Sequence, residues 1–125
     1  TRAQAYDHWV KALKSGKYKQ GQGQLKVSIN KKPQYCCLGV LCELARKDGG
    51  LAWTRKPGLI PNPTVDYEYG GSIDFLPNNL ADFMGLTLEQ QRELARLNDD
   101  LSCNFDQIAS KVQSLKRKNC NGDER

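Results

Sequence analysis

Three of the five cysteines of this 125-residue chain, Cys36, Cys37 and Cys42, fall within the seven residues from 36 to 42, inside the run YCCLGVLCELA. A thiolate at the start of a helix is stabilised by free backbone amides and by the helix dipole, and catalytic cysteines exploit this position. Cys36 and Cys37 stand where such a helix would begin. They are therefore the candidates for a nucleophile.

Partners for that chemistry are scarce. The one histidine, His8, lies 28 residues before Cys36. The run YCCLGVLCELA is distantly similar to the cysteine-bearing helix start of NlpC/P60-type papain-like peptidases, which place their histidine after the cysteine. A hydrolase using Cys36 or Cys37 with His8 stays an alternative, whereas the cysteine spacing does not match the paired ligands of a zinc site. Our main prediction is therefore that the protein has no catalytic residue, no metal site and no cofactor.

The stretch itself is apolar on nearly every side, which is typical of a helix enclosed in a core. Free cysteine is among the most buried residue types. We therefore expect Cys37, Leu41 and Leu44 to point inward. Cys36 is expected at the mouth of the helix, beside Lys31, Lys32 and Tyr35, where it would keep a claim to reactivity.

Charge is distributed unevenly along the chain. Residues 1–62 hold twelve Lys/Arg against three Asp/Glu, and residues 63–125 hold seven against eleven. A basic surface of this kind attracts phosphates or an acidic protein surface. The loop SGKYKQGQGQL adds exposed amides and a tyrosine able to stack on a base. The predicted ligand-binding residues are Lys14, Lys17, Tyr18, Lys19, Gln20, Lys26, Lys31, Lys32 and Tyr35.

Hydrophobic periodicity, with helix caps at Thr1, Thr87 and Asn104, predicts a single α+β domain, residues 1–117, followed by a polar tail, 118–125. We expect about five helices around a small antiparallel sheet, with the cysteine-rich helix buried at the centre. Alternation in LKVSI predicts a strand that ends before Pro33, and TVDYEY with SIDF predicts a hairpin around Gly70-Gly71. Residues 57–63, PGLIPNP, are expected to form an irregular connection.

Several segments together resemble a family of small bacteriophage and prophage proteins: WVKALKSGKYKQGQGQL, YCCLGVLCELA, LPNNLADFMGL, and LARLNDD with FDQIA. The resemblance implies a viral accessory protein acting in the cytoplasm of an infected bacterium, where an odd cysteine count and no signal segment also fit a reducing environment. It transfers no activity.

The resulting hypothesis is a non-enzymatic binding or inhibitor protein. Its basic N-terminal half would contact an acidic host protein, a nucleotide or another phosphorylated ligand. A DNA-binding protein using Lys14, Lys17, Lys19, Lys26, Lys31 and Lys32 is a further alternative. No apolar run approaches the length of a membrane span, and the sequence leaves the oligomeric state open.

Overall fold

A computed structural model describes residues 1–56 and 64–120 of the chain. The elements run α1 (Arg2–Lys14), β1 (Lys26–Ile29), β2 (Lys32–Tyr35), α2 (Cys37–Lys47), β3 (Trp53–Lys56), β4 (Thr64–Tyr69), α3 (Asn78–Met84), α4 (Leu88–Asp99) and α5 (Phe105–Asn119). Five helices and a four-stranded antiparallel sheet confirm the predicted α+β class. The predicted irregular connection, 57–63, lies outside the described residues.

Three helices begin at the caps that the sequence predicts. Thr1, Thr87 and Asn104 each form a capping box. The cap side chain accepts a hydrogen bond from the backbone amide of a glutamine three residues later, and that glutamine's side-chain oxygen accepts one from the backbone nitrogen of the cap residue. Helix α5 packs along α1 and continues through Asn119, and Cys120 after it is buried. The predicted tail therefore begins too early: 118–120 belong to the domain, and 121–125 lie outside the described residues.

The cysteine-rich helix α2 is buried at the centre, as predicted. Residues 37–43 are all shielded from solvent, and α2 packs against α1 and α4. Gly39 lies directly against the backbone carbonyl of Leu25, the residue before β1, and a Cβ at this position would overlap that oxygen. The approach of α2 to the sheet therefore requires glycine here.

The strand order is β2-β1-β4-β3, with every pair antiparallel. Strand β2 contains Pro33, the residue at which the sequence pattern predicts that the strand has ended. It forms because β2 lies at the edge of the sheet, where proline's missing amide costs no ladder bond. Asn30 and Lys31 make the connecting turn with φ of 53° and 65°.

The predicted hairpin around Gly70-Gly71 is wrong in its second arm. The turn itself forms, since the amides of Tyr69 and Ser72 each bond to the other's carbonyl. Beyond Ser72 the chain leaves the sheet, and β4 takes β1 and β3 as neighbours instead. In the part of the chain that the structure describes, no helix is long and apolar enough to cross a bilayer.

Candidate functional site: an aromatic and basic face around Lys26

The register of the sheet places Lys26 among aromatic side chains. Lys26 pairs with Tyr35, and Trp53 pairs with Tyr69 at the same end of the sheet. Directly opposed residues of an antiparallel pair project from the same face, and residues two apart on a strand share a face. Tyr67, two residues before Tyr69, therefore lies on the same face as Trp53.

The rings form a continuous row. Ring centroids are 5.6 Å apart for Tyr18 and Tyr35, 6.2 Å for Tyr35 and Trp53, and 6.3 Å for Trp53 and Tyr67. The ammonium of Lys26 lies 4.3 Å from the Tyr67 centroid, 5.2 Å from Trp53 and 5.7 Å from Tyr35. These are cation–π distances, so three rings hold one positive charge in place.

Helix α2 contacts the row of rings through Glu43. The carboxylate of Glu43 accepts from the Trp53 indole Nε1 at 3.0 Å and from two guanidinium nitrogens of Arg46 at 2.7 and 2.9 Å. Burial raises the pKa of Glu43, but the hydrogen bonds from Arg46 and Trp53 outweigh it, and the net pKa lies below the ordinary value. Glu43 is therefore an ionised anchor for Trp53 at neutral pH.

A second lysine closes the other end of the row. Lys47 Nζ donates to the Tyr18 hydroxyl at 3.1 Å and lies 5.4 Å from the centre of that ring. Tyr35, between Tyr18 and Trp53, is buried, and burial together with the charge of Glu43 raises the pKa of its phenol to about 12. We call the surface formed by Tyr18, Lys26, Lys47, Trp53 and Tyr67 the aromatic–basic face.

The face has the chemistry of an anion site. Among the described residues, none accepts a hydrogen bond from Lys26 Nζ, so the contacts to the rings leave its three N–H groups available. The carboxylate near it, Glu43, is engaged by Arg46 and Trp53. Half-buried rings beside cations suit a ligand that combines a phosphate with a flat apolar group.

The structure brings only part of the predicted ligand-binding set together. Tyr18, Lys26 and Tyr35 meet in the ring row. Lys31 and Lys32 lie at the far end of the β1–β2 hairpin, about 10 Å along the strands from Lys26. Lys14 and Lys17, exposed at the end of α1 and just beyond it, and Lys19 and Gln20, beside β2, complete the set.

The cysteines lie away from solvent. Cys36 is 4% exposed and Cys37 fully buried, and burial raises the pKa of Cys36 to about 12 and that of Cys37 well above its ordinary value. Cys36 is the N-cap of α2, at the mouth of the helix as expected, but it is buried there, and Lys31 and Lys32 lie at the other end of the β1–β2 hairpin. His8 lies on the exposed side of α1, along an apolar groove. A buried, protonated thiol is a poor nucleophile, so the geometry gives the hydrolase alternative no support.

Four groups of the site were missed by sequence reasoning: Trp53, Tyr67, Lys47 and Glu43. The alternation in TVDYEY predicts that Tyr67 lies on a strand, but its neighbours depend on the long-range pairing of β4. Glu43 did carry a signal in the sequence, since it is the one charged residue in the mostly apolar run 36–45. A buried acid needs a partner, and Arg46 three residues later is on the same helical face.

No group of three or more His, Cys, Asp or Glu side chains within 1–56 and 64–120 is arranged to hold a metal ion. All five cysteines lie in the described residues, and none of them forms a disulfide.

Comparison with models of known protein families shows which family the chain belongs to. A family model for a domain of unknown function, DUF8296, matches residues 2–89, more than two thirds of the sequence. The chain belongs to this family. The DUF8296 match contains α1, α2, α3, the whole sheet and therefore the aromatic–basic face, whereas α5 lies beyond it. No curated protein and no solved structure matches the chain.

Proposed function

We propose that this protein is a non-enzymatic binding protein that holds a phosphate-bearing ligand on the aromatic–basic face. The observation that carries the proposal is the position of Lys26. Three aromatic rings fix its ammonium, and no described residue uses its N–H groups. A cation that is fixed before binding loses little side-chain entropy when an anion arrives.

The surroundings strengthen that preference. From residue 9 to residue 42 the chain contains no Asp or Glu, so the segment that supplies Tyr18, Lys26 and Tyr35 is uniformly basic. Lys47 adds a second ammonium at the far end of the row. Two cations separated by aromatic rings match a ligand with alternating charged and flat groups, such as a single-stranded nucleic acid or a nucleotide.

The biological setting belongs to the proposal as well. The resemblance to small phage proteins supports action in the cytoplasm of an infected bacterium, as an inhibitor of a host process or of host defence. In that role the chain would sequester or mask a phosphorylated host ligand. A basic aromatic surface suits such a role.

The experiment is a binding titration with three probes: oligothymidylate, inorganic tripolyphosphate and polyglutamate, each followed over a range of salt concentrations. Lys26→Met keeps the length and apolar contacts of the side chain and removes its charge. We expect at least one phosphate probe to bind with a salt-dependent affinity, and Lys26→Met to weaken it roughly tenfold, since hydrogen bonds to charged groups contribute about 1.5–3 kcal/mol.

Lys118→Met, an exposed lysine near the end of α5, is the matched control and should change affinity little. Equal losses in the two variants would mean general charge attraction and would overturn the proposed site. Binding of polyglutamate with no binding of either phosphate probe would overturn the phosphate class in favour of an acidic host protein. A parallel titration with duplex DNA tests the DNA-binding alternative, which would be favoured by tight binding that Lys26→Met reduces only slightly.

A further inference from the structure

A second concave site lies beside β2 and is built from uncharged polar residues. Its volume is about 400 Å³, within the usual range for small-ligand sites, and it is open to solvent. Its walls come from the segment 20–22, from β2 and from the segment 102–104 that leads into α5. The residues lining it are Gln20, Gly21, Gln22, Gln34, Ser102, Cys103 and Asn104. We call it the amide pocket.

The register separates the amide pocket from the aromatic–basic face. Gln34 pairs with Val27, whereas Tyr35 pairs with Lys26. Neighbouring residues on a strand project to opposite sides of the sheet, so Gln34 points away from the ring row. The two sites therefore share β2 but not a surface.

The pocket wall is held rigidly by Asn98, which is fully buried in α4. Gln20 Nε2 donates to Asn98 Oδ1 and to the Cys103 carbonyl, both at 2.8 Å, and Asn98 Nδ2 donates to the Gly21 carbonyl at 2.8 Å. The glycine-containing segment is also paired to β2, since the amide of Gly21 bonds to the Tyr35 carbonyl at 2.7 Å. A ligand would therefore meet a prearranged surface.

Several polar atoms of the lining have no partner in the part of the chain that the structure describes. The side-chain carboxamide of Gln34 makes no hydrogen bond there, and neither does the side-chain hydroxyl of Ser102. Gln20 uses its nitrogen and leaves Oε1 open, and Asn104 uses its oxygen as the α5 cap and leaves Nδ2 open. The pocket thus presents both donors and acceptors, and no lining residue carries a charge.

Cations flank this neutral pocket. Lys32 is two residues from Gln34 on the same face of β2, about 7 Å away, and Lys19 is adjacent to Gln20 in sequence; both are exposed. The nearest carboxylate in sequence to Asn98, that of Asp99, is taken by the amide of Gly23 at 3.0 Å and by Asn98 Nδ2 at 2.8 Å.

We infer that the amide pocket binds the base of a nucleotide, with the phosphate directed to Lys19 or Lys32. Carboxamide side chains match the adjacent donor and acceptor of a nucleobase edge, and adenine is the best complement to a glutamine. A neutral lining with Lys19 and Lys32 at its margin suits a neutral base joined to an anionic phosphate. The inference does not depend on the aromatic–basic face.

The test compares adenosine 5′-monophosphate with ribose 5-phosphate, which lacks the base, by calorimetric titration. We expect the nucleotide to bind at least tenfold more tightly than the sugar phosphate. Gln34→Leu removes the amide, keeps the Cβ that faces Gly21, and should abolish that difference; Lys19→Ala and Lys32→Ala together should weaken both ligands about equally.

Gln113→Leu on α5 is the matched control, and the melting temperature of each variant establishes that it is folded. Equal affinities for the two ligands, or a nucleotide preference that survives Gln34→Leu, would overturn the inference. So would a loss with Lys26→Met as large as that with Gln34→Leu, because the nucleotide would then occupy the aromatic–basic face. That last outcome would still support the proposed function, so the two failures are distinguishable.

Discussion

The indole of Trp53 and the carboxylate of Glu43 join β3 to α2 through a hydrogen bond of 3.0 Å. The same carboxylate holds Arg46. The link therefore fixes the orientation of one ring of the aromatic–basic face and ties an edge strand of the sheet to the central helix. Stability and ligand binding should share this contact.

Replacing Glu43 by Gln should lower the free energy of unfolding by about 1–2 kcal/mol at pH 7, because the charge-assisted bonds to Arg46 are lost. The lowered pKa of Glu43 gives this contribution a defined pH dependence. It is complete above the unfolded carboxyl pKa, near 4.5, and disappears as the pH falls through the lower folded value. Chemical denaturation of both proteins from pH 3 to 8 measures it.

Glu93→Gln is the matched control for that experiment. Glu93 pairs with Lys111 at 3.1 Å with its side chain half exposed, and such surface pairs contribute little. A Glu43→Gln difference that stays constant from pH 7 down to pH 3 would contradict the assignment of an ionised anchor.

Gly39→Ala should destabilise the protein by about 2–3 kcal/mol, although alanine is the better helix former. The added methyl would overlap the carbonyl of Leu25, which belongs to the backbone and cannot rotate away. Thermal or urea unfolding measures the change. Ala95→Gly on α4 is the control for helix propensity alone, and it should destabilise the protein by about 1 kcal/mol because glycine is the poorer helix former. A Gly39→Ala variant more stable than the parent would refute the close approach.

The cysteines should differ strongly in their rate of reaction with a thiol reagent. Cys36, Cys37, Cys42 and Cys120 are buried, whereas Cys103 is partly exposed at the amide pocket. A colorimetric thiol reagent at pH 8 should therefore label Cys103 first, and Cys103→Ser should remove the rapid phase, while all five react in denaturant. Rapid labelling of Cys36 in the folded Cys103→Ser protein would revive the hydrolase alternative.

Asn98→Ala should cost about 1–3 kcal/mol, because it leaves the buried Gly21 carbonyl without its donor and frees the Gln20 side chain. Amide hydrogen exchange should also quicken at Gly21, whose pairing with Tyr35 depends on the same segment. Asn79→Ala, at an exposed position of α3, is the control and should leave exchange at Gly21 unchanged.

The helices could be predicted from the sequence because their signals are local. Thr87 and Asn104 are each followed three residues later by a glutamine, which is the pattern of a capping box at a helix start. Gly85 ends α3 in the left-handed conformation that favours glycine. The sheet could not be predicted in the same way. Pro33 is compatible with a strand only at an edge, and whether β2 is an edge depends on β4, some thirty residues later.

The candidate site divides along the same line. Tyr18, Lys26 and Tyr35 could be named because they lie in one basic stretch of sequence. Trp53 joins them only through the pairing of β3 with β4 and the bond to Glu43. Contacts between residues far apart in the chain leave no periodic pattern, so this half of the site required the structure.

The positions of the two tryptophans give the protein separate optical signals for two events. Trp9 is fully buried in α1 and donates its indole hydrogen to the Cys37 carbonyl at 3.0 Å, so its emission reports on the integrity of the core. Trp53 is partly exposed beside Lys26, so its emission responds to whatever occupies that surface. With Trp9→Phe, the remaining fluorophore becomes an intrinsic sensor with which ligands can be screened without any label.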